Sequence, residues 1–146
     1  MTLEALRQGH TVRGTLRSMK RADSVRKMLA SHLGADSEEA LKRLTFHEAD
    51  LLSPKGWRDA AAGCDAALHV ASPFPLAAPK DEQEVVGPAR MGLKNVFDAC
   101  AAEGVNRFVQ TSSTVAIVYG HGRQQTDFTE KDWTQLDGGM ISAYIK

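Results

Sequence analysis

The chain has 146 residues, with 18 basic and 18 acidic side chains balancing to zero net charge. That length suits a single domain, and balanced, scattered charge argues against a nucleic-acid backbone or an anionic membrane surface as partner. With 42% hydrophobic residues and no apolar run near the ~20 residues that cross a bilayer, the composition is that of an ordinary globular chain, expected in the cytoplasm without export signal or membrane span.

In chain order, Leu3, Ala5 and Leu6 read as the last turns of a helix stopped by Gly9. Residues 11–16 (Thr-Val-Arg-Gly-Thr-Leu) alternate as a strand, and a basic amphipathic stretch over 24–33 predicts a helix. Residues 44–49 read as the next strand. Ser53 as N-cap and Pro54 in the first turn then open a helix through Trp57 to Ala62, closed by Gly63. The run 66–71 (Ala-Ala-Leu-His-Val-Ala) has the continuous apolar character of a strand buried on both faces, ended by Ser72-Pro73. Val85, Ala89, Leu93, Val96, Phe97 and Cys100 recur at steps of three and four, predicting a long helix over 84–102 that stops at Gly104. A strand at 107–111 follows, then polar, irregular chain up to a helix start near Gly139. Strands alternating with helices argue for an α/β fold with a parallel sheet. Cys64 and Cys100, without Cys-x-x-Cys spacing, read as two buried, reduced thiols rather than a disulfide or a metal site.

In open α/β sheets ligands bind beyond the carboxyl ends of the strands, so four places stand out. Arg17 ends the first strand, where an acidic residue suits a ribose 2′-hydroxyl and an arginine a 2′-phosphate. Lys20 and Arg21 reinforce the positive field, although three cations in a loop are equally a solvated surface. Asp50 and Leu51 follow the second strand; the carboxylate could accept from an adenine amine and the leucine cover the ring, or the aspartate could simply cap a turn. Val70, Ala71 and Ser72 offer close backbone approach, or a packed strand end. Finally Thr111, Ser112 and Ser113, with Tyr144, supply hydroxyls that could hold a carbonyl and exchange a proton with it, or satisfy local backbone.

These pieces occur in one order. Gly-His-Thr-Val-Arg-Gly-Thr-Leu-Arg-Ser (9–18), Ala-Asp-Leu-Leu (49–52), His-Val-Ala-Ser-Pro-Phe (69–74), Gly-Leu-Lys-Asn-Val (92–96), Arg-Phe-Val-Gln-Thr-Ser-Ser (107–113), Phe-Thr-Glu-Lys-Asp-Trp (128–133) and Ala-Tyr-Ile-Lys (143–146) together resemble the extended short-chain dehydrogenase/reductases. Within that epimerase/dehydratase superfamily the chain is most similar to the dihydroflavonol-4-reductase-like branch. The resemblance implies a partial Rossmann-like, doubly wound parallel sheet whose first strand is missing, and a partial NAD(P)-binding domain over 1–146 without the C-terminal substrate domain. It implies an NADP-dependent oxidoreductase, NADP preferred over NAD, that reduces a small-molecule aldehyde or ketone to an alcohol. Ser113 would hold the carbonyl, with Ser112 its alternative, and Tyr144 would be the general acid. Arg17 would contact the 2′-phosphate, Asp50 and Leu51 the adenine, and Val70, Ala71 and Ser72 the inner face of the nucleotide, with Lys20 and Thr111 completing the cofactor-binding set. His47, His69 and His121 have no catalytic place and read as structural or surface residues.

Two departures from the family pattern shape the expectation. The first strand and its Gly-x-x-Gly-x-x-Gly phosphate loop have no counterpart in this sequence. The absent strand would lie between those at 11–16 and 66–71, leaving two unpaired edges and a marginal fold. The family's lysine stands four residues after its tyrosine on one helical face, whereas Lys146 follows Tyr144 by two, roughly 200° around the helix. The expectation is therefore an internal piece of a reductase reading frame, inactive alone. Two other readings compete: a sugar-nucleotide epimerase or dehydratase of the same superfamily, and a non-catalytic dinucleotide-binding module. Arg17 and the His-Val-Ala-Ser-Pro run favour the reductase, and oligomeric state stays open.

Overall fold

The first 48 residues form one layer of helices on a pair of strands. A computed structural model describes residues 1–72, 81, 83–121 and 126–136. It begins with α1 (Thr2–Arg7), β1 (Val12–Leu16), a 3-10 turn at Met19–Arg21, α2 (Ala22–Leu33), a second 3-10 turn at Gly34–Asp36, α3 (Ser37–Lys42) and β2 (Leu44–Glu48). β1 and β2 are parallel, with Val12 opposite Leu44 and Gly14 opposite Phe46. Side chains alternate across a strand, so Val12, Leu44 and Phe46 share the face that packs on Leu6, Leu29 and Ala40 from α1, α2 and α3. The Phe46 ring lies over Gly14, where a side-chain carbon would stand 3.1 Å from it. Arg26 of α2 sits 5.4 Å from the centre of that ring and donates to the carbonyls of Leu41 and Leu44 at 3.2 and 2.6 Å. One guanidinium thereby stitches α2, α3 and β2 together.

The remaining elements are α4 (Trp57–Ala61), β3 (Ala66–His69), α5 (Gln83–Ala102), β4 (Arg107–Gln110) and α6 (Val115–Val118). β3 and β4 form a second parallel pair, Ala67 opposite Phe108 and His69 opposite Gln110, with no ladder joining it to β1–β2 among the described residues. A second core cluster of Ala49, Trp57, Ala61, Val96, Ala99 and Cys100 lies beneath it, with Ala67 and Phe108 packed against it. Phe108 also meets Phe97 edge to face at 5.4 Å. α5 closes as its glycine promised: Gly104 has φ +73°, its N–H reaches the Ala101 carbonyl at 3.2 Å, and Val105 N–H reaches that of Cys100 at 2.9 Å. Arg13, on the face of β1 away from the helices, reaches α4 instead, donating to the Ala60 carbonyl at 3.0 Å and to that of Asp59.

The alternating α/β plan with parallel strands is thus present, and four expectations change. Strand 66–71 was expected to be buried on both faces; β3 stops at His69, and Leu68 and Val109 are 50% and 46% exposed. Among the described residues helices cover only the Ala67–Phe108 face, and an unbroken apolar run does not reveal that. Ser53 is no helix cap: its hydroxyl accepts from Lys55 N–H at 3.3 Å in a local turn, and α4 starts after Gly56. Cys64 is half-buried; Cys100 alone of the two thiols is buried. The chain expected to be irregular after β4 contains α6, tied down by the Thr134 and Gln135 N–H groups, which donate to the Ala116 and Tyr119 carbonyls at 2.9 Å each. The helix expected near Gly139 lies outside the described residues.

Candidate functional site

A cleft of about 200 Å³ opens at the carboxyl ends of β3 and β4 against one side of α5. Leu51, from the turn after β2, and Ala71 and Ser72, just beyond β3, line it. These are three of the residues singled out at strand ends, and they reach one cavity from two separate loops. The other walls are His69 and Gln110, opposite one another across β3 and β4, and Ala89, Arg90 and Leu93 of α5.

Those five were not anticipated as a site. Helical spacing marks Ala89 and Leu93 as an apolar stripe, and the same period serves a buried face and a cleft wall alike. His69 and Gln110 each precede a residue that was singled out, Val70 and Thr111, so reading one position further back along each strand would have found them.

Residues 2–144 match the model of the NAD dependent epimerase/dehydratase family. The chain belongs to that family. Among relatives of this family member, the cinnamoyl-CoA reductase 1 of Petunia hybrida is 38% identical over 133 residues, 90% of this chain and 37% of that protein. A dihydroflavonol 4-reductase of Arabidopsis thaliana is 33% identical over 138 residues, covering 94% of this chain and 34% of its own. The vestitone reductase of Medicago sativa is 32% identical over 133 residues, 90% and 39% respectively. The chain therefore spans little more than a third of the length of these curated relatives.

For the dinucleotide that the family's description names, the cleft is too small to hold the whole molecule. Complete small-molecule sites run to about 300–1,000 Å³, and this cavity is smaller. Its small side chains at Ala71, Ser72 and Ala89 admit a flat group to the backbone, Leu51 and Leu93 supply apolar walls, and Arg90 and Gln110 supply hydrogen-bond donors.

The other candidates are not among the residues that line the cleft. Arg17 and Lys20 are exposed at the end of β1. There the Ser18 hydroxyl accepts from Lys20 N–H at 3.4 Å and the Glu48 carboxylate from Met19 N–H at 2.9 Å. Asp50 is exposed and its Oδ1 accepts from Leu52 N–H at 2.9 Å, the local turn that was its alternative reading. Val70 is exposed, and Thr111 N–H donates to the His69 carbonyl at 3.0 Å, extending the β3–β4 ladder by one bond. Ser113 is half-buried at the start of α6, its hydroxyl oxygen 3.4 Å from Val115 N–H, while Ser112 is exposed. Tyr144 and Lys146 lie outside the described residues.

None of the three histidines read as structural or surface is fully exposed: His69 is buried, and His47 and His121 are half-buried. His121 is held by the Ile117 carbonyl, 2.7 Å from Nε2, and by the edge of Phe128. Burial holds the His69 imidazole below its ordinary range, and burial followed by the Arg13 charge does the same at His47. In the unfolded chain both rings take up a proton near pH 6.5, whereas the folded chain resists until lower pH. The unfolded state therefore binds more protons in that interval, and stability falls as pH drops below about 6.5. The expected result is a lower urea midpoint at pH 5.5 than at 7.5, with the difference reduced in His69→Gln. An unchanged difference in that variant would assign the acid sensitivity elsewhere.

Proposed function

We propose that this chain carries the nucleotide-facing part of an NADP-dependent oxidoreductase that reduces an aldehyde or ketone to an alcohol. One observation carries the reading: in a member of an NAD dependent family, Leu51, Ala71 and Ser72 converge on one cleft beyond the carboxyl ends of parallel strands, where such sheets bind nucleotides. The names of the relatives, cinnamoyl-CoA reductase and dihydroflavonol 4-reductase, favour carbonyl reduction over epimerisation or dehydration of a sugar nucleotide.

When bound, the nicotinamide cofactor supplies the hydride. Arg17 pairs with the 2′-phosphate, its planar fork of N–H donors matching phosphate oxygens, and Lys20 adds charge close by. Leu51 covers the adenine and Asp50 accepts from its amine. Val70, Ala71, Ser72 and Thr111 let the ligand lie close to the strand ends. Ser113, whose oxygen lies 3.4 Å from Val115 N–H, keeps its own O–H available to donate to a substrate carbonyl, and the Tyr144 phenol donates the proton that the reduced oxygen needs.

The test is binding of NADPH and NADH to the chain and to Arg17→Glu by isothermal titration calorimetry. A charge-assisted contact of about 1.5–3 kcal/mol makes NADPH tighter by roughly 10- to 100-fold. Arg17→Glu should remove that margin or reverse it towards NADH. Equal binding of the two cofactors by the unaltered chain would refute the NADP assignment, and binding of neither would refute the nucleotide reading.

A further inference from the structure

The turn over residues 50–53 gives the cleft one wall, Leu51, and is fastened from two helices at once. Trp57 Nε1 donates to the carbonyls of Asp50 and Ser53, each at 3.0 Å. From α5, Asn95 Nδ2 donates to the Leu51 carbonyl at 2.8 Å. Within the turn, Ser53 N–H reaches the Asp50 carbonyl at 3.0 Å. Three of the four carbonyls in this short turn thus accept from side chains outside it.

The α5 side of this clamp has a second part. Gly92 is three residues before Asn95, so the two share a helical face. Gly92 is buried, and a side-chain carbon there would stand 3.1 Å from Leu51 Cβ and 3.3 Å from its Cδ2. α5 comes this close to Leu51 because position 92 carries no side chain, and Asn95 then holds the same residue by its backbone. Gly92 sets the distance and Asn95 the orientation. Leu93, between them in sequence, lines the cleft itself.

We infer that Asn95 is a positioning residue for the nucleotide cleft: it fixes Leu51, by its carbonyl, as the apolar wall against which the flat base of the ligand rests. This rests on the nucleotide reading of the cleft. Without the Asn95 amide the half-buried Leu51 is left with an unpaired carbonyl, the turn rearranges to reach water, and the wall moves.

The experiment is a double-mutant cycle on the full chain, with adenosine 2′,5′-bisphosphate as the probe in calorimetry. Asn95→Leu keeps the side-chain size and removes the donor; Asn95→Asp is the second variant should the first fail to fold. Asn95→Leu should weaken binding about five- to tenfold, the size of coupling usual between contacting residues. Leu51→Ala should weaken it similarly, and the double variant should bind no more weakly than Leu51→Ala, because the effect of Asn95 passes through Leu51. Amide exchange should quicken at Leu52 and Ser53 in Asn95→Leu while the amides of α5 keep their protection. Additive losses, unchanged affinity in Asn95→Leu, or unchanged exchange in the turn would each overturn the inference. If the unaltered chain binds no bisphosphate, the nucleotide reading itself falls and takes the inference with it. Binding with an additive cycle removes the inference alone.

Discussion

Gly56→Ala should destabilise the chain by about 2–5 kcal/mol. Gly56 has φ +83° just before α4, a conformation that costs a residue with a side chain about 1–2 kcal/mol. The added carbon would also stand 2.2 Å from the carbonyl oxygen of Glu48. That oxygen belongs to the backbone at the end of β2, so it cannot swing aside as a flexible side chain would. Forcing the two apart adds the usual 1–3 kcal/mol or so of overpacking. Gly63→Ala is the control, since Gly63 has φ +70° and nothing within 4 Å of the new carbon, so only the conformational cost of about 1–2 kcal/mol applies. Urea unfolding of the two variants separates the contributions; equal losses would mean that the end of β2 yields to the intruding carbon without cost.

Trp57→Ala should cost about 3–5 kcal/mol, the range for removing a large aromatic side chain from a core. Trp57 is 6% exposed and packs with Ala49, Ala61, Val96, Ala99 and Cys100, so its loss opens a cavity between α4 and α5. Trp57→Phe retains most of the ring volume and deletes the N–H that serves the Asp50 and Ser53 carbonyls. Its cost should be smaller, about 1–3 kcal/mol for the Ser53 carbonyl left without its donor, since the Asp50 carbonyl still accepts from Ser53 N–H. Chemical denaturation followed by circular dichroism distinguishes the variants. A Phe variant as unstable as the Ala variant would place the hydrogen bonds above the packing, and one as stable as the parent would mean that water replaces the indole without penalty.

How far the sequence discloses this molecule depends on whether a feature is periodic. Alternation at 12–16 and 44–48 and the three-and-four spacing along 83–102 mark β1, β2 and α5 to within a residue or two, because burial of one face imposes the period directly. α3 escapes notice: Ser-Glu-Glu-Ala-Leu-Lys is under two turns long and offers only Ala40 and Leu41 as an apolar pair. The beginning of α4 is misread because Ser53-Pro54 has the composition of a helix start. The helix is delayed to residue 57 by the positive φ of Gly56, whose close seat against the Glu48 carbonyl is a tertiary fact that composition does not disclose. The same division holds at the cleft. Leu51, Ala71 and Ser72 are found by their place after strands, whereas Arg90 and Leu93 sit on a helix whose neighbours no local pattern reveals.

The two core clusters share no residue and divide the chain cleanly in sequence: every member of the first falls between Leu3 and Phe46, every member of the second between Ala49 and Phe108. Such a layout keeps loop closure short within each half. A chain emerging from the ribosome can consolidate the first cluster before most of the second has been synthesised. The link between the halves is then a docking event in which Arg13 finds the end of α4 and Gly56 settles against the Glu48 carbonyl, and that junction is where the molecule should come apart first, as two cooperative units rather than one.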